Sequence, residues 1–236
     1  MLSATDVAHG SLPVEISMEP IIEGAPFAYE RVLVDDDGAF FAVWECDAGV
    51  YPRVKDRRGS FMYILSGDAD IVDDLDGTVH HLVADTIILL PFGWSGRWVI
   101  RETIRKVYLH TEPAAPFRPG LQPSAFFDVE QTLRSPLTEQ SVLGGPSGHE
   151  LLVFDGPDGH CAVADAEVGL TTVAAAAVGR FVHVIAGTGA IIDKDGTERA
   201  FEAGGAFALP GGWSGSWRVD LAARFMYVRT PERADG

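Results

Sequence analysis

Two octapeptides of this chain are near copies: Pro91-Phe92-Gly93-Trp94-Ser95-Gly96-Arg97-Trp98 and Pro210-Gly211-Gly212-Trp213-Ser214-Gly215-Ser216-Trp217. They hold four of the five tryptophans. The agreement extends well beyond them. Gly49, Gly59, Phe61 and Gly67 recur as Gly169, Gly179, Phe181 and Gly187, each 120 residues on. Asp76-Gly77-Thr78, Pro91, Trp94, Trp98 and Tyr108 recur 119 residues on. Solenoid units are only about 20–50 residues long, so a repeat of this length is a whole domain. The chain therefore reads as one architecture used twice, with domains expected over 1–120 and 121–236.

A copy of this size can bury a core without staples. The net charge of −16 repels phosphate backbones and anionic lipid surfaces, so neither nucleic acid nor a membrane is an expected partner. Local charge within a pocket can still have the opposite sign. The two cysteines, Cys46 and Cys161, do not suggest a disulfide framework and fit buried thiols. Met1 to Ser17 has no basic segment followed by an apolar one, as a signal peptide would. No apolar run approaches the length of a membrane span. The expected location is cytoplasmic.

Strand signals dominate. Phe40 to Trp44, Phe61 to Leu65, Ala69 to Val72, Thr86 to Leu90 and Ile104 to Leu109 are short apolar runs separated by Gly, Pro and Asp. Asp76-Gly77 and Asp195-Gly196 are hairpin turn dipeptides. Short strands at roughly 8–12-residue spacing indicate an all-β sandwich or barrel. Between the copies, Pro113, Pro116, Pro119 and Pro123 stiffen a connector and exclude helix or central strand.

The run Gly49, Ser60 to Gly67, Pro91-x-Gly93-Trp94-x-Gly96-x-Trp98 and Arg105-Lys106-Val107-Tyr108 resembles a cupin. More narrowly it resembles the ureidoglycine-aminohydrolase-like group, which includes ethanolamine-utilisation cupins. The resemblance implies two tandem double-stranded β-helix jelly rolls, a bicupin. It also implies a comparison of metal ligands, since most cupin enzymes hold a divalent metal with paired His, a Glu and a third His. Here Ser60 and Arg180 stand where that Glu would be, and Gly96 and Gly215 where the third His would be. The paired-His region reads Val54-Lys55-Asp56-Arg57 in one copy and Val173 to Ala177 in the other. No metal and no cofactor is expected.

Period-two alternation then places Met62 and Ile64 inward with Ser60, and Val182 and Val184 inward with Arg180. The same alternation places Trp94 and Trp98 together, and likewise Trp213 and Trp217. Lys106 and Tyr108 share a strand face, with Tyr227 the counterpart of Tyr108. The candidate ligand-binding set is thus Ser60, Met62, Trp94, Trp98, Lys106, Tyr108, Arg180, Trp213, Trp217 and Tyr227. Indole faces and a guanidinium suit a small planar or anionic molecule. Core filling is the stronger reading of the tryptophans, and Arg180 could equally pair with Asp220 or Glu202. Lys55, Arg57 and Arg58 read as a solvated loop. Three functions stay open: a metal-independent binder of a small anionic metabolite, an aminohydrolase-like or isomerase-like enzyme using Tyr or Lys as acid/base, and a filled structural bicupin. Nothing in the sequence decides for or against a homodimer.

Overall fold

A computed structural model describes residues 3–36, 39–111, 124–128, 138–141, 147–156, 159–176 and 179–229. The expected boundary at 120/121 and the Pro-rich connector lie outside these residues. The chain divides into two compact units, Ser11–Gln131 and, with Met1–Gly10, Thr132–Gly236. Each is an antiparallel jelly-roll barrel.

The first unit contains β1 (Val14–Ile16), β2 (Glu23–Gly24), β3 (Ala28–Asp36), β4 (Ala39–Cys46), β5 (Gly49–Val54), β6 (Gly59–Asp73), β7 (Val79–Leu82), β8 (Thr86–Leu90), β9 (Ser95–Thr111) and β10 (Ala125–Asp128). Its main sheet path is β1-β3-β4-β9-β6-β8-β10, with β5 on β9, β2 on β5 and β7 on β6. The second unit has a short helix, α1 (Ala4–His9), and β11 (Thr138–Ser141), β12 (Ser147–Gly156), β13 (Gly159–Ala166), β14 (Gly169–Val173), β15 (Arg180–Asp193), β16 (Glu198–Glu202), β17 (Ala206–Leu209) and β18 (Gly215–Arg229). There the path is β11-β12-β13-β18-β15-β16, with β14 on β18 and β17 on β15. The second plan repeats the first except for β2 and β10, which have no counterpart among the described residues.

In each unit two long strands, β6 with β9 and β15 with β18, run through both walls of the barrel. A strand of 15 or 17 residues cannot curl that far without irregularity. The register slips between Ile64 and Ala69 in one copy and between Val184 and Gly189 in the other. Gly67 (φ +100°) and Gly187 (φ +88°) lie at these slips. A Cβ on Gly67 would stand 2.4 Å from the Thr103 carbonyl oxygen, so the crossing requires glycine there. The repeated glycines thus mark where each barrel bends.

The barrel interiors are apolar. In the first, Trp44, Met62, Ile64, Ile71, Leu82, Ile88, Leu90, Trp98 and Ile104 are buried together. In the second, Phe201, Phe207, Trp217, Phe225 and Tyr227 dominate. Cys46 and Cys161 are buried free thiols. No helix among the described residues is long and apolar enough to cross a membrane.

Candidate functional site

The first barrel encloses a small cavity of about 70 Å³. Trp44, Tyr51, Met62, Leu90 and Trp98 form its apolar walls. Arg53, Lys55, Lys106, Glu30, Tyr108 and His110 bring polar groups to it. A water needs roughly 15 Å³ of such space, so the cavity takes about five water-sized groups.

Lys106 comes from β9, two residues from Tyr108 and on the same face, as alternation requires. Its Nζ lies 4.0 Å from the Trp44 ring centroid and 4.4 Å from that of Trp98. Its hydrogen bond runs to the Met62 thioether sulfur at 3.2 Å, a weak acceptor. Burial, and then the Arg53 charge, push the Lys106 ammonium down to about 7, against the opposing pull of Cys46 and Glu30. The two indole faces favour the cationic form.

Lys55 is not in a solvated loop. Its backbone N–H donates to the Trp94 carbonyl and its carbonyl accepts from Gly93 N–H, both at 2.8 Å. These bonds fold the segment after β5 onto the Pro91-Phe92-Gly93 turn and leave the Lys55 side chain buried. Its Nζ donates to Ser60 Oγ at 2.6 Å, and Ser60 Oγ contacts His110 Nδ1 at 3.0 Å. Burial, then Arg53 and Lys106, hold Lys55 well below the usual lysine range. Burial and the Lys55 charge push His110 down to about 3, so its ring is neutral near neutral pH. Among the described residues no carboxylate forms an ion pair with Lys55 or Lys106.

Tyr108 donates a short hydrogen bond to buried Glu30. Burial and the Glu30 charge raise its hydroxyl far above the ordinary tyrosine value, so it stays protonated. The second copy repeats this pair as Tyr227 and Glu150. Glu30 and Glu150 are 120 residues apart, a repeat signal that sequence reasoning could have used and did not.

Of the expected set, Met62, Trp98, Lys106 and Tyr108 line the cavity, and Ser60 supports Lys55 behind it. Trp94 does not line it. Strand β9 begins at Ser95, so the alternation that pairs Trp98 with its neighbours stops short of Trp94. Its indole is fully buried, donates to Asp73 at 2.7 Å and fills the space over Gly96, where a Cβ would meet the ring at 2.4 Å. Asp73 also accepts from the backbone N–H and hydroxyl of Ser124. Trp213 makes the same bond to Asp193. Trp44, Tyr51, Arg53 and His110 were not foreseen. Trp44 faces its partner strand opposite Lys106, but the repeat offers only Ala164 in its place, so no duplication flagged it.

The remaining expected residues belong to the second copy, whose described interior side chains are apolar and packed together. Trp217 packs against Phe201, Phe207 and Phe225 at centroid distances of 6.1, 5.6 and 5.3 Å. Register places Phe225 at the Lys106 position, Val173 at the Arg53 position, and Phe207 at the Ile88 position. Ala176 makes the backbone bond to Gly212 that Lys55 makes to Gly93. All three cations of the first copy are therefore absent from the equivalent points of the second. Arg180 stands at the rim opposite Arg229, and burial followed by that charge lowers it. Asp220 pairs with Arg218 instead. An open groove of about 490 Å³ between Thr172–Ala175 and Ser214–Ser216 carries none of the expected residues.

These donors do not fit a divalent metal. The cavity offers one imidazole, His110, and one carboxylate, Glu30, fewer than the ligand set a first-row metal takes, and the Arg53 charge beside them repels a cation. Among the described residues no group of three His, Cys, Asp or Glu could hold an ion.

Residues 35–108 match the model of the EutQ-like cupin domain. That segment is a cupin domain, and the chain has the cupin fold. Solved structures agree on the fold. A cupin 2 conserved barrel domain protein from Leptotrichia buccalis superposes with TM-score 0.64 at 10% identity, covering 91% of this cupin and 100% of that chain. A protein of unknown function from Pseudomonas syringae pv. tomato gives 0.67 at 13%, covering 98% and 97%. Salicylate 1,2-dioxygenase from Pseudoaminobacter salicylatoxidans gives 0.63 at 13%, covering 85% and 72%. No curated protein matches this cupin in sequence.

Proposed function

We propose that this cupin binds a small anionic metabolite in its first barrel, without a metal ion, and that the second barrel is a packed structural copy. The observation that carries this reading is the convergence of Arg53, Lys55 and Lys106 on a cavity of about 70 Å³ in a protein of net charge −16. Burying two lysines that, among the described residues, form no ion pair with a carboxylate is costly. An anion entering between them offsets that cost and raises both pKa values toward ordinary lysine. The cavity volume suits a carboxylate of two or three carbons rather than an aromatic acid. Arg53, exposed at the opening, meets the anion first.

Thermal unfolding tests the reading. Oxalate or acetate should raise the melting temperature where acetamide, neutral and of similar size, does not. Saturation at about 100 Kd corresponds to about 2.7 kcal/mol. Lys106→Met should abolish the effect. An unchanged melting temperature with every small anion would refute binding. A stoichiometric transition metal in protein purified without chelator would refute metal independence.

A further inference from the structure

The chain has only three lysines, Lys55, Lys106 and Lys194, against a large excess of arginine. Two of the three are buried at one cavity. Had charge alone been needed there, the guanidinium used elsewhere would have served and would have stayed protonated. What lysine adds is an amine that can lose its proton and attack carbon.

We propose that Lys106 condenses with the carbonyl carbon of a small oxo-carboxylate, forming an imine, while Lys55 and Arg53 hold the carboxylate. This rests on the anion-binding reading above and names its ligand class. The geometry is that of a held nucleophile. Nζ is fixed between the Trp44 and Trp98 rings, and it is tied only to a thioether among the described residues. The Tyr108–Glu30 pair lines the same cavity beside it.

The step balances without a further reagent. The neutral amine attacks the carbonyl carbon, a C–N bond forms, and the C=O π pair moves to oxygen, which takes the proton released by nitrogen. The nitrogen lone pair then expels that hydroxyl as water, with a proton supplied by solvent. Loss of the last N–H proton returns it. One amine and one carbonyl give one C=N bond and one water.

The amine form is the reactive one. With Lys106 near 7, its reactive fraction falls about tenfold for each pH unit below that value. The groups facing it are Glu30 from β3, Cys46 from β4, Tyr51 and Arg53 from β5, Lys55 beyond it, and Tyr108 and His110 from β9. Of these, Arg53 lowers it, whereas Glu30 and Cys46 raise it.

The experiment incubates the full chain with pyruvate or glyoxylate and sodium cyanoborohydride, then locates the reduced adduct by peptide mass mapping. The expected result is one adduct per chain at Lys106. Its rate should rise with pH and level off above about 7. Excess oxalate should suppress it, Lys194→Gln should leave it unchanged, and Lys106→Arg, which keeps the charge and length, should abolish it. Lys55→Gln should slow it by raising the pyruvate concentration needed for half-maximal rate. Labelling spread over Lys55 and Lys194, or a rate that rises only near the pKa of ordinary lysine, overturns the proposal. No adduct in a protein still stabilised by oxalate overturns the imine and leaves anion binding standing. No adduct and no oxalate effect overturns both.

Discussion

Lys106 sits in the folded barrel far below its value in an unfolded chain, about 7 against about 10.4. Between those values the unfolded chain binds the extra proton, so stability rises with pH across the window and is lost as pH falls through it. Urea unfolding at about pH 7 and about pH 9 should show this slope in the wild type and a flatter one in Lys106→Met, which should also be the more stable at pH 7 by about 1–3 kcal/mol. Asp73 stabilises the fold through the hydrogen bonds it accepts. It is a buried carboxylate taking donors from Trp94 and from two groups of Ser124. Asp73→Ala leaves those donors without an acceptor and should cost about 3–5 kcal/mol. Asp193→Ala, at the half-buried copy of the same bond, should cost about half as much in the same denaturation assay. The tryptophan octapeptides are therefore first of all an anchoring device, with only Trp98 reaching the cavity.

The bend in the long strands belongs to the element rather than to any one contact. Gly67 adopts a φ that other residues avoid, and its missing side chain is what lets β6 pass the backbone of β9. Gly67→Ala should lower stability by at least about 2 kcal/mol, read as a shifted denaturation midpoint with an unchanged slope. At this scale much was legible. Strand runs, the Asp-Gly hairpins and the glycine spacing all appear in the sequence because period two and positive φ leave a local mark. The site was legible only where it shared that mark. Met62, Trp98, Lys106 and Tyr108 follow from alternation along β6 and β9. Lys55 was misread because a cluster of charged residues usually faces water, and only the backbone bonds to Gly93 and Trp94 reveal otherwise. Trp44 and Arg53 reach the cavity through pairing between strands distant in sequence, which no local pattern encodes.

Taken whole, the molecule uses one plan for two ends. The first barrel keeps a cavity beside Arg53, Lys55 and Lys106, and the second sets Phe225 at the Lys106 position among rings worth roughly 1.5–3 kcal/mol each when buried. The acidic exterior and the basic cavity are consistent with one another, since field lines in a low-dielectric pocket follow the nearest charges. The closed copy also sets the terms for anyone wishing to engineer a second site. Grafting an amine at position 225 is a question of volume before it is one of charge, because the Phe201 and Trp217 rings already pack against Phe225 at centroid distances of 5.6 and 5.3 Å. Those rings must shrink in the same step, or the new side chain has nowhere to stand.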